Sequence, residues 1–181
     1  MEIDYESLKT GDLVLFHALD NINPLIIGSY WGHVGIVVIH DGKPMIFEAA
    51  GIERKLPGNN SNGIYFSDLQ TRIKQYRGYV AIKKLKNPLS QEICTEFNTF
   101  IEFARKNMHY EKRVFQHYIL HLLGYPCDLA TNCGELVFLS LIKLGLLPIS
   151  TYDEHCWHYL LKVIHITKLL NNSYSSPIYT I

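Results

Sequence analysis

The chain carries no net charge: Lys+Arg and Asp+Glu number 17 each among 181 residues. A nucleic-acid partner usually imposes a strongly basic face, so this balance argues against one, although "RIKQYRGYVAIKKLK" gathers basic residues locally. None of the four cysteines, Cys94, Cys127, Cys133 and Cys156, belongs to a CxxC pair. Zinc-ribbon and thioredoxin-type readings lose their usual signal, and neither a metal nor a cofactor is expected. No uninterrupted apolar run approaches the roughly 20 residues that span a bilayer. The opening "MEIDYESLKTGD" lacks a basic start and an apolar stretch, so no signal peptide is expected. The expectation is a cytoplasmic protein with reduced thiols. Repeats, low-complexity segments and long linkers are also missing, and residues 1–181 read as one domain. Hydrophobic residues make up 48% of the chain, enough for a sizeable core.

What is present divides in two. The first half reads as β-rich. "DLVLF" (12–16) is a short strand, and "HVGIVVIH" is apolar and β-branched, as a central strand should be. Asp41-Gly42 is a strong hairpin cue, with "PMIFEAA" as the returning strand. "NINPLIIGSYW" before them is a short helix or an ordered loop, and "PGNNSNG" is a surface loop. "GIYFSDLQTRIKQY" gives a strand, a Ser67 cap and a short helix, and "GYVAIKKL" closes the β part. The second half reads as helical. Ser90 caps a helix with Ile93, Phe97, Phe100, Ile101 and Ala104 at helical spacing. "VFQHYILHLLG", "NCGELVFLSLIKLG" and "DEHCWHYLLKVI" follow as helices. The fold class is α+β, an antiparallel sheet or small barrel packed against helices.

Cys133 follows Asn132, a helix cap, and so opens the helix "CGELVFLSLIKLG". Unpaired N–H groups and the helix dipole at such an end favour thiolate over thiol, and the same groups can stabilise an oxyanion. Gly134 leaves room for a substrate carbonyl. The alternative is a small buried core residue. Cys94 and Cys156 fall inside helices and suit the core, whereas Cys127 lies on a loop near Cys133. A nucleophilic thiol needs a base, and the base needs an orienting group. His33 opens the apolar strand, and Glu48 lies on the next strand across the hairpin, where a carboxylate can hold one imidazole nitrogen. Glu48 also reads as an ordinary strand carboxylate. His40, seven residues along, is about 23 Å from His33 at roughly 3.3 Å per residue and belongs to no shared site.

These residues, "GDLVLF … WGHVGIVV … MIFEAAG … NCGELVFLSL", resemble the permuted branch of the NlpC-type papain-like cysteine hydrolase superfamily. The likeness is greatest to bacterial YiiX-like proteins and their poxvirus relatives, with lecithin:retinol acyltransferase-like enzymes as more distant kin. The order His33, Glu48, Cys133 is that of the permuted branch. The resemblance covers residues 11–49 and 132–146. It implies a circularly permuted papain-like fold with Cys133 as nucleophile, His33 as base and Glu48 as orienter. Relatives often carry Ser where this chain has Gly134. Tyr110 stands where relatives have a substrate-side tyrosine, and it reads equally as a core residue. Trp31 ends an apolar stretch beside His33 that lines an acyl groove or packs into the core. Glu135 is better suited to capping or a salt bridge.

The expected activity is that of a thiol hydrolase or acyltransferase cleaving an amide or ester through an acyl-enzyme. Substrates implied are a peptide or amino-acid amide, a small molecule, or a lipid-linked acyl group, the last allowing a peripheral membrane contact. With no signal peptide or wall-binding module, a cell-wall peptidase is disfavoured. The rival reading is a viral protein, in the host-cell cytoplasm, that retains the fold to bind a host protein or lipid with little or no catalysis.

Overall fold

In a computed structural model of the chain, residues 3–18, 31–51, 62–110, 130–148, 173–174 and 178–180 are described. Strands β1 (Leu13–Ala18), β2 (His33–His40), β3 (Lys43–Ala49), β4 (Ile64–Asp68), β5 (Gly78–Lys83) and β8 (Ile178–Thr180) form one sheet in the order β4-β3-β2-β1-β5-β8. Every neighbouring pair in it is antiparallel. Helix α1 (Leu69–Lys74) follows β4, α2 (Gln91–Asn107) follows β5, and α3 (Cys133–Lys143) follows a two-residue strand, β7 (Ala130–Thr131). Strand β7 pairs in parallel with β6 (His109–Tyr110). The architecture is therefore α+β with an antiparallel sheet.

Local chemistry explains the elements. The β2–β3 turn places Asp41 at φ 49° and Gly42 at φ 72°, both positive as a type I′ turn requires. Ser90 caps α2 by accepting from the Ile93 N–H. Phe97, Ile101 and Ala104 are buried, while Ile93 and Phe100 pack at the core's margin. The cap of α1 is Asp68, which accepts from the Thr71 N–H at 2.7 Å, and not Ser67. Ser67 still belongs to β4 and is buried, with its hydroxyl unpartnered. A one-residue error in a cap is usual where two oxygen-bearing residues adjoin.

Alternation along the strands gives the sheet two apolar faces. Leu13, Leu15, Val34, Ile36, Val38 and Phe47 pack with α2 and α3. Val14, Phe16, Val37, Ile46, Val80 and Ile82 pack with Leu69 and Ile73 of α1. Strand β8 escaped the sequence reading, because three residues carry too little pattern to register. The readings of 21–30, of the loop at 57–61 and of the helices at 114–124 and 153–164 lie outside the described residues, as do Cys127, Cys156, His117, His121, His155, His158 and His165. Among the described residues no helix is long and apolar enough to cross a membrane.

Candidate active site

His33 is the first residue of β2 and Cys133 the first of α3. By pairing, His33 stands opposite Phe16 and shares the α1 face with Gly35, whereas α3 covers the other face. The two side chains meet because both are terminal. A histidine deeper along that face would be walled off from α3 by the sheet. The thiol of Cys133 lies within hydrogen-bonding reach of the imidazole.

Glu48 supplies the third group. The register sets Ile36 against Phe47, so Glu48 faces Gly35 and reaches His33 diagonally. The Glu48–Nε2 distance is 2.5 Å, with both residues buried. Gly35 keeps that diagonal open. A Cβ there would stand 2.6 Å from Ile46 Cδ1 and 3.3 Å from Glu48 Cβ.

Charge fixes the roles. Burial by itself would raise the Glu48 carboxyl's pKa. The hydrogen bond from His33, the charge of His33 and then Arg72 outweigh it and bring the pKa down to about 2. Glu48 is thus an acceptor at neutral pH, and His33 Nε2–H donates to its Oε2. The other nitrogen, Nδ1, remains to take the thiol proton. For His33, burial pulls the pKa down, but the charge and hydrogen bond of Cys133, then those of Glu48, leave it above the ordinary 6.5. A thiol, a base and an orienter in this order suit nucleophilic attack on a carbonyl.

The cap spends part of the helix end. Asn132 Oδ1 accepts from the amides of Gly134 at 2.9 Å and Glu135 at 3.1 Å, and the Asn132 carbonyl accepts from Leu136. Those three donors serve the helix, so oxyanion binding is not assigned to them. Gly134 is buried. Trp31, 8% exposed, belongs to the core on the α3 side. Tyr110 is half-buried and pairs with Thr131, two residues before Cys133, which puts it near the head of α3. Glu135 lies in the first turn of α3.

Arg72 was invisible in the sequence. It falls in the basic stretch 72–86, yet it is 3% exposed, and its Nε donates to Glu48 Oε1 at 2.7 Å. Lys83 of the same stretch is buried too, so that stretch is not one basic surface. A signal existed only in spacing: Arg72 is four residues beyond the Asp68 cap, on the buried side with Leu69.

The fold and these residues define an α+β protein in which a half-buried cysteine meets a buried His-Glu pair at one end of an antiparallel sheet. No family model and no curated protein matches the chain. Among solved structures it is similar to the crystal structure of metalloprotein yiiX from Escherichia coli O157:H7, at 17% identity and a TM-score of 0.56, over 78% of this chain and 69% of that one. The likeness is one of fold, and it is consistent with the YiiX-like part of the resemblance drawn from the motifs.

Proposed function

We propose that the chain is a cysteine hydrolase or acyltransferase of the permuted papain-like type, acting on an amide or ester. The observation that carries this reading is the meeting of Cys133, His33 and Glu48 from three separate elements, in the order thiol, base, orienter. The Cys133 sulfur attacks the substrate carbonyl carbon while its proton passes to His33 Nδ1. The tetrahedral species collapses, the C–N or C–O bond breaks, and the leaving amine or alcohol takes the proton from His33. Water, or an acceptor hydroxyl or amine, then gives its proton to His33 and attacks the thioester. The C–S bond breaks, the acyl group departs on the acceptor, and the proton held by His33 returns to sulfur to restore the thiol.

The name of the yiiX protein includes a metal. The residues here do not fit one at this cluster. Both oxygens of Glu48 are engaged by Arg72 and His33, and a guanidinium beside the carboxylate opposes a second cation. Among the described residues no group of three or more His, Cys, Asp or Glu is placed to hold a metal ion. No step is routed through one.

The test is competitive labelling with iodoacetamide at mildly acidic pH, read by peptide mass spectrometry. Cys94, half-buried in α2 and with its pKa raised by burial, is the internal reference. Cys133 is expected to react much faster, and His33→Ala to remove the difference. Equal rates would return the chain to the rival reading of a binding protein. Intact-mass analysis after exposure to lipid and peptide extracts, with Cys133→Ala as control, then identifies the acyl group.

A further inference from the structure

The array does not end at Glu48. Arg72 reaches across from α1 and grips the carboxylate at two points, Nε to Oε1 at 2.7 Å and Nη2 to Oε2 at 3.3 Å. Its Cζ lies 4.6 Å from the centre of the Phe16 ring and 5.3 Å from that of Tyr76. The two rings pack edge to face at 4.9 Å, and Phe16 touches the His33 ring at 5.4 Å. A side chain with many rotamers is held in one geometry by a fork on one side and aromatic faces on the other. Oε2 receives both Nη2 of Arg72 and Nε2 of His33, so the guanidinium also decides which oxygen faces the imidazole.

We propose that Arg72 is a positioning residue for the Cys133–His33 pair, holding Glu48 ionised with Oε2 aimed at the imidazole. Only the last link, from His33 to a reactive thiol, rests on the function proposed above. Arg72 is also the positive charge that offsets a fully buried carboxylate. A buried carboxylate stripped of its cation takes up a proton instead of staying charged. A neutral carboxyl neither favours the imidazolium nor reliably accepts from Nε2. Cys133 alone would then oppose burial, which pulls the imidazole's pKa down, so that pKa would fall below its wild-type position.

The experiment is an NMR titration of labelled histidine, His33 being assigned by its absence in His33→Gln. Wild-type protein is compared with Arg72→Gln and Arg72→Lys, and iodoacetamide rates of Cys133 and Cys94 are measured in parallel. In Arg72→Gln the His33 titration is expected to move to lower pH. The Cys133 rate is expected to fall about tenfold for each unit of that movement, with Cys94 unchanged. Arg72→Lys keeps the charge but not the fork, and the shift is expected to be smaller. A folded Arg72→Gln protein whose His33 titrates as in wild type, or at higher pH, overturns the proposal. Should that variant not fold, Arg72→Lys decides: a lowered titration supports the proposal, and an unchanged or raised one overturns it. A wild-type Cys133 no faster than Cys94 would sink the nucleophile reading while leaving the titration to judge Arg72.

Discussion

Strand β2 begins and ends with a histidine, and each sits beside a carboxylate. At one end His33 meets Glu48 at 2.5 Å, with side chains 6% and 0% exposed. At the other His40 meets Asp41 at 3.7 Å, with side chains 51% and 90% exposed. The residue types match, and so does the strand. What differs is water. Solvent around His40 and Asp41 screens their attraction and leaves them free to separate, as for most surface pairs. At the buried end the carboxylate cannot turn to water, so its charge is satisfied by His33 and Arg72 or not at all. The lesson is that a His–carboxylate pair becomes a chemical device through burial and a third charge, not through its composition.

Perturbations should widen or erase that contrast. The largest effect is on reactivity: His33→Ala is expected to slow Cys133 alkylation by about 10²–10⁴-fold, the usual contribution of a positioned base, as measured by the labelling assay. Next is stability. Arg72→Met leaves Glu48 in the interior with His33 as its one remaining side-chain partner, and a loss of about 3–5 kcal/mol is expected in urea unfolding. Gly35→Ala sets a methyl against Ile46 and the Glu48 Cβ, for about 1–3 kcal/mol and a displaced His33 imidazole signal.

The pH dependence comes after these. Glu48 has its pKa lowered from 4.5 to about 2, so it contributes stability that is present above about 4.5 and is lost as pH falls toward 2. Unfolding free energies of Glu48→Gln are therefore expected to vary less with pH over that window than wild type. His33, shifted upward, works in the opposite direction. Its contribution is full below 6.5 and fades as pH rises through its higher folded value. The smallest effect is at the exposed end, where His40→Ala should change stability by no more than about 0.5 kcal/mol and leave Cys133 labelling untouched.

A second buried carboxylate shows why partners matter more than depth. Asp12 is as buried as Glu48. It accepts from the amides of Lys9 and Leu85, and burial raises its pKa despite them. Glu48, with a guanidinium and an imidazole in contact, moves the other way. Neither carboxylate announces its direction in the sequence, because each depends on what the fold brings against it.

The sequence by itself determined the strands around the Asp41-Gly42 turn, the Ser90 and Asn132 caps, and the candidacy of Cys133, His33 and Glu48. Those features are local: turn dihedrals, capping oxygens and strand alternation act over a few residues. The tertiary structure decided the rest. It put Glu48 opposite Gly35, so that the carboxylate reaches His33 on a diagonal. It turned Arg72 from one cation in a basic stretch into the buried counter-charge of Glu48. Each depends on residues from separate elements meeting where water is excluded, and neither periodicity nor composition encodes which charges will meet there.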